Sequence, residues 1–185
     1  MLAEAIQSVA AQTLPPKRHL IAVDHGYIGP GRMLNQLTAA ADTEWVSILG
    51  DDDLYDPDHL ETLAAETDNG SIILSWCRFD GKDEPQYRGQ FDPRLLLARM
   101  DSGMRGIFMF RKNVWDMLGG FHEGPMEDWD FLTRAVKAGI RFAPVHRETW
   151  TYRWHDVGGG NTSTIVGKLM AGERPDELYH LKNHL

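Results

Sequence analysis

Three consecutive carboxylates, Asp51, Asp52 and Asp53, stand directly after the apolar run Glu44 to Leu49 and the single residue Gly50. Adjacent carboxylates repel one another, and a folded chain tolerates them best where a cation or many donors neutralise them. A solvated acidic loop or a helix cap is the plain reading of such a run. Asp56, with Pro57 at a first helical position and Asp58 and Glu61 in the first turn, predicts its own capped helix and leaves the triplet without that task. A calcium loop of the EF-hand type does not fit. Asp56 occupies the position that needs glycine, and Thr62 the position that needs a bidentate glutamate. Hard oxygen ligands, few in number and at a strand end, suit Mg2+ or Mn2+ shared with a diphosphate.

A second pair of carboxylates, Glu127 and Asp128, opens a predicted helix over residues 127–138 that stops at Gly139. Asp128 shares a helix face with Leu132 and Ala135, four and seven residues on, so it is expected to point into the protein. Asp130 faces Arg134 at i+4, the pattern of a surface pair. Taken alone, Asp128 reads as an acidic group favoured by the helix macrodipole. His155 follows in Tyr152-Arg-Trp-His-Asp-Val-Gly-Gly-Gly-Asn-Thr-Ser163. A lone histidine is as readily a satisfied polar group as a ligand.

The elements that must position these groups can be read from periodicity. Leu2, Ile6 and Val9 recur at helical spacing, predicting a helix over residues 2–13 that Pro15 and Pro16 stop. His19 to Val23 reads as a strand running into Asp24-His25-Gly26, residues 31–41 as a helix, and Glu44 to Leu49 as a second strand. Ser71 to Phe79 reads as a third strand, Gly81 to Gln90 as a polar loop and Ile107 to Phe110 as a buried strand. A short helix to Leu118 and Gly119-Gly120 follows, and Arg141 to Trp154 contains extended segments. Strands alternating with helices predict an α/β protein with a mostly parallel central sheet covered on both faces. In such sheets ligands bind beyond the carboxyl ends of strands, where Asp24 and the triplet are expected.

Taken together, these segments resemble family 2 glycosyltransferases. Trp45-Val-Ser-Ile-Leu-Gly-Asp-Asp-Asp-Leu-Tyr-Asp-Pro57 is similar to the family's aspartate-rich motif. Glu4-Ala-Ile-Gln-Ser-Val-Ala-Ala-Gln-Thr-Leu-Pro15 is similar to its first helix, and Leu20-Ile-Ala-Val-Asp24-His25-Gly26 to its second strand. Gly119-Gly120-Phe121, then Glu127-Asp128, Arg134 and Gly139, is similar to its acceptor-side motif. The resemblance runs to about residue 164. It implies a GT-A-type fold and transfer of a single sugar, with inversion, from a nucleotide-diphosphate sugar to an acceptor hydroxyl. It also implies Asp52 as metal ligand, with Asp51 or Asp53 beside the ribose or a metal-bound water. Asp53 and His155 would complete the metal or diphosphate site, and Asp24 and His25 would lie at the base. Asp128 would be the general base, with Glu127 orienting the acceptor or Arg134. His25 replaces an acidic residue of the family pattern, and Gly50 stands where the family often has an aspartate. The strand that normally precedes the first helix is not in this sequence, which predicts an open sheet edge and self-association. On this reading the chain is one domain, residues 1–80 binding the nucleotide-sugar, 81–164 the acceptor, and 165–185 forming a helical tail.

Composition bounds the alternatives. The chain has 185 residues, 42% hydrophobic and 25% charged, with a formal net charge of −8. That suits one folded domain and argues against a general nucleic-acid binder, which needs a basic face. No apolar run is long enough to span a membrane, no basic-plus-apolar leader opens the chain, and the one cysteine, Cys77, forms no internal disulfide; a cytoplasmic setting is expected. Two other readings stand beside the transferase. One is a catalytically weak nucleotide-sugar-binding or partner subunit of the same fold. The other is an unrelated magnesium-dependent phosphoryl-transfer enzyme, which would lack a Gly-x-x-x-x-Gly-Lys-Ser/Thr phosphate loop here.

Overall fold

The computed structural model describes residues 1–26, 28–80, 91–97, 106–124 and 126–153. His155, the loop from Gly81 to Gln90 and the tail over 165–185 lie outside the described residues. Six helices are described: α1 (Leu2–Ala10), α2 (Pro30–Ala40), α3 (His59–Ala64), α4 (Pro93–Leu97), α5 (Lys112–Leu118) and α6 (Glu127–Lys137). Five strands, β1 (Trp45–Ser47), β2 (Leu54–Tyr55), β3 (Ile72–Asp80), β4 (Phe108–Arg111) and β5 (Phe142–Arg153), form one sheet in the order β1-β4-β3-β5-β2.

The α/β expectation holds, but the sheet is mixed rather than mostly parallel. β3 and β5 run parallel, whereas β1–β4, β4–β3 and β5–β2 are antiparallel. Strand direction is set by how the connections travel, which local periodicity does not encode. The sheet also curls. The Tyr55 hydroxyl, on edge strand β2, donates to the Ile48 carbonyl at 2.7 Å and lies 2.8 Å from Ser47 Oγ beside the opposite edge strand.

Alternation along β4 divides the core. Phe108 and Phe110 point to one face, where they pack with Phe121 and Phe131 under α6, with ring centroids 4.5 Å apart for the stacked pair Phe121–Phe131. Met109 points to the other face and meets Leu63 of α3, Ile73 and Ala143. Cys77 is buried beside Val9, Tyr55 and Trp150, as a small hydrophobe. His59 is fully buried, stacked on Tyr55, with Nδ1 2.7 Å from Thr149 Oγ1; burial pushes its pKa down to about 3, so the ring is neutral.

Two local expectations are corrected. Asp56 does not cap a helix: its carboxylate pairs with Arg78, and α3 begins three residues later behind Asp58. The segment from His19 to Val23 forms no strand among the described residues. Its apolar run is present, with Ile21 and Val23 about half exposed, but no strand among the described residues pairs with it. Lys17 and Arg18 at its start both reach Asp42, just ahead of β1. β1 is itself an edge, paired within the described sheet with β4 alone. An extended apolar segment and an open edge at one end of a sheet are templates for pairing with another chain. We therefore expect self-association at micromolar concentration in sedimentation runs, weakened by Ile21→Lys with Val23→Lys. A monomer at all concentrations would show that this edge is closed within the chain.

Candidate functional site

The site is built by the direction of the strands. β1 runs antiparallel to β4, with Ser47 opposite Met109, and the Ile48 amide then reaches the Phe108 carbonyl. The chain leaving β1 towards Asp51–Asp53 therefore passes the end at which β4 begins. β3 and β5 deliver their carboxyl ends to that same end, Asp80 opposite Arg153. Carboxyl ends of neighbouring strands leave a crevice in which ligands settle.

Within the triplet the three side chains have different surroundings. Asp51 is exposed, Asp52 half-buried and Asp53 buried. Asp53 Oδ1 accepts from the Arg153 backbone N–H at 3.0 Å. A Cβ built on Gly50 would lie 2.8 Å from Asp52 Oδ1 and 3.6 Å from Asp53 Oδ2, so both carboxylates fold back over the same glycine. Burial, offset in part by the Arg153 N–H, raises the Asp53 pKa to about 7, with the Asp52 and Asp51 charges adding to the rise. Arg153 also binds the Asp52 carbonyl through Nε and the Glu4 carboxylate through Nη1 at 2.9 Å. One arginine thus joins the end of β5, the acidic loop and α1.

Asp128 sits in the first turn of α6, on the face that carries buried Leu132 and Ala135, as its spacing predicts. Its Oδ1 accepts from the Trp129 N–H at 2.8 Å, and Oδ2 lies against Gly106, two residues ahead of β4. Desolvation holds its pKa above the ordinary carboxylate value. Met126, ahead of the helix, has φ of 68°, a conformation β-carbon-bearing residues seldom adopt. Asp130 is more than a surface partner. It accepts from Arg134 Nε at 2.8 Å and lies 3.1 Å from His122 Nδ1, while Arg134 also donates to the carbonyls of Leu118 and Gly120. That network locks α6 to the end of α5.

Asp24 lies in the loop before α2. Its carboxylate accepts from the N–H groups of Ile28 and Gly29 at 2.9 and 2.8 Å, shaping the turn into the helix. His25 is exposed. At the start of α2, Gly31 lies so close to the next layer that a Cβ would meet the His122 carbonyl at 2.4 Å and Glu127 Cβ at 3.6 Å. The start of α2, which follows the Asp24 loop, therefore abuts the start of α6 at Glu127. Periodicity did not single out Asn35, yet it is a hub: Nδ2 donates to the Phe121 carbonyl, and Oδ1 accepts from Trp115 Nε1 and the Phe121 N–H. A polar residue on the inner face of an amphipathic helix was the available signal. For Arg153 it was a cation ending a strand in an acid-rich chain.

Among the described residues no three His, Cys, Asp or Glu side chains are grouped as a metal site. The two carboxylates over Gly50 are hard oxygen donors that fit a divalent cation only if a ligand or further residues supply the other positions.

Residues 1–124 match the sequence model of glycosyl transferase family 2. The chain belongs to that family. This family 2 chain is 24% identical over 204 residues to the uncharacterized glycosyltransferase YwdF of Bacillus subtilis (strain 168), covering 90% of this chain and 74% of that protein. Its fold is similar to that of TarS 1–349 from S. aureus, with a TM-score of 0.64 at 15% identity over 82% of this chain. The TarS complex with UDP-GlcNAc gives a TM-score of 0.65 at 15% identity over 88% of this chain. The family 2 chain spans 56% of either TarS chain. The GT-A-like fold is thereby established, and the reading as an unrelated phosphoryl-transfer enzyme falls. The family match stops three residues short of Glu127 and so does not reach α6. No helix among the described residues is long and apolar enough to cross a membrane.

The raised pKa of Asp53 has a consequence for stability. The folded state retains this proton between about pH 4 and pH 7, where the unfolded chain has released it. The contribution of Asp53 to folding stability is thus fully present below about pH 4 and is lost as pH rises to about 7, by up to roughly 1.4 kcal/mol per unit. Asp53→Asn keeps an oxygen for the Arg153 N–H and removes the titration. Its unfolding midpoint should exceed that of the parent protein at pH 8 and approach it at pH 4.5; an equal difference at both pH values would contradict this.

Proposed function

We propose that this chain is a metal-dependent, inverting glycosyltransferase that moves one sugar from a nucleotide-diphosphate sugar to an acceptor hydroxyl. The observation that carries the reading is that two carboxylate groups lie towards the same end of the sheet. The acidic loop leaves β1 beside the point where Asp128 rests against the entry to β4. The two groups have separate work. Asp52 and Asp53 are suited to hold Mg2+ or Mn2+ against the donor diphosphate, with Asp51, Asp24 and His25 on the nucleotide side and His155 as a further ligand. A cation there would stabilise the negative charge that grows on the leaving diphosphate.

Asp128 is the general base. Burial raises its proton affinity, so its ionised form is a stronger base than an exposed aspartate and takes the acceptor proton more readily. The proton leaves the acceptor hydroxyl as that oxygen attacks the anomeric carbon, and the bond to the diphosphate breaks on the opposite face. Glu127, against the start of α2, is suited to orient the acceptor. UDP-GlcNAc, held by TarS, is the first donor to test.

Two measurements test this proposal. Calorimetric binding of UDP or UDP-GlcNAc should require Mn2+ or Mg2+ and be lost in Asp52→Ala; equal binding in the presence of a chelator sinks the metal assignment. Asp128→Asn should lower sugar transfer by about two to four orders of magnitude with donor binding nearly unchanged. Asp130→Asn is the comparison: it loosens Arg134 and should reduce stability more than turnover. Binding without transfer in the parent protein, to every acceptor tried, would leave the partner-subunit reading in its place.

A further inference from the structure

The described glycines differ in what a side chain would meet. Gly29, Gly119 and Gly139 have positive φ and open space around them, so backbone conformation alone favours glycine there. At Gly31 and Gly70 a Cβ would run into main-chain atoms of another segment. Gly106 belongs to neither group. It is absent from the positive-φ residues, and a Cβ there would lie 2.4 Å from Asp128 Oδ2, 3.4 Å from Asp128 Cγ and 3.9 Å from Asp128 Cβ. Its three nearest neighbours are all atoms of that one side chain.

We propose that Gly106 is the positioning residue for Asp128: the lack of a side chain at 106 forms the recess in which the Asp128 carboxylate rests. The proposal builds on Asp128 as the general base, but the contact itself is independent of that role. Two elements fix the recess. β4, two residues on, is locked between β1 and β3, and its Phe108 and Phe110 are fully buried. On the other side, α6 is held by Arg134 to the carbonyls of Leu118 and Gly120, and by Trp129 Nε1 to the Leu96 carbonyl at 3.2 Å. Neither backbone yields readily, so an added methyl at 106 is accommodated by movement of the carboxylate. Ordinary contact begins near 3.4 Å, so Oδ2 must retreat by about 1 Å (3.4 − 2.4). That motion also strains the bond from the Trp129 N–H to Oδ1. A misplacement of this size at a reacting group costs about 100-fold in rate.

The test is a double-mutant cycle between Gly106→Ala and Asp128→Ala, read by urea unfolding and, separately, by sugar transfer from UDP-GlcNAc. Gly106→Ala should lower the urea midpoint in the parent background and leave it unchanged or raised in Asp128→Ala, where the recess is empty. Asp128→Ser replaces Asp128→Ala if the latter does not fold. In the transfer assay Gly106→Ala should reduce kcat about 100-fold with the donor KM unchanged. Equal midpoint shifts in both backgrounds overturn the proposal, and so does full kcat in a folded Gly106→Ala. If the parent protein transfers no sugar, the enzyme reading fails by itself; midpoint coupling then decides the positioning claim alone.

Discussion

The antiparallel pairing of β1 with β4 is the constraint on which the candidate site depends. Each ladder bond between them is of ordinary strength, but the pairing sets two directions at once. It sends the chain after β1 out over the end of the sheet where β4 enters, and it brings the residues ahead of β4 under the first turn of α6. Had β1 run parallel to β4, the acidic loop would leave the opposite end, a strand length away from Asp128. The curl of the sheet completes the arrangement. The short loop from Ile48 to Asp53 connects strands on opposite edges, and the Tyr55 hydroxyl bonded to the Ile48 carbonyl fixes how closely those edges approach.

The carboxylates of this acidic chain are stabilised in two ways, and the division follows place. Asp42, Asp56, Asp58, Asp92, Asp130, Glu44 and Glu123, outside the proposed metal and base positions, pair with lysine or arginine side chains. Asp53 and Asp128 are instead each held by a backbone N–H, as is Asp24 by two. A backbone donor orients a carboxylate without cancelling its charge. Both Asp53 and Asp128 hold their protons more tightly than exposed aspartates do, because burial removes water; at Asp53 the N–H and the charge of Arg153 offset this only in part. An environment of that kind favours a group that must later meet a cation or a proton.

Much of this was legible in the sequence, and the parts that were not share a cause. The strand read over Ser71 to Phe79 forms as Ile72–Asp80, and the helix read over 127–138 as Glu127–Lys137, because each has a strong local period. The inward face of Asp128 followed from the same spacing. Leu20 to Val23 has the apolar run of a short strand and does not become one, since a strand also needs a neighbour. The Asp56 cap failed for a similar reason: a distant partner, Arg78, took the carboxylate that a local rule had assigned to a helix end. Strand direction, the hub at Asn35, the clamp at Arg153 and the recess at Gly106 are all relations between segments distant in sequence.

The two halves of the site also differ in how firmly they are held, and this bears on which one adapts to a ligand. Asp128 rides on a helix tied at Arg134 to α5, and α5 is tied in turn through Trp115 and Asn35 to α2. The Asp128 side is therefore a braced unit. The acidic loop has one principal brace, Arg153, and an exposed Asp51 at its crest. Electrostatics sharpens the contrast, because three adjacent carboxylates gain most when a cation arrives. On the proposed reading, a braced Asp128 facing a less firmly held acidic loop favours an order of events with metal and diphosphate ahead of acceptor. Under that same proposal, the reverse order would bring an acceptor to Asp128 before the charge of the departing diphosphate had been matched.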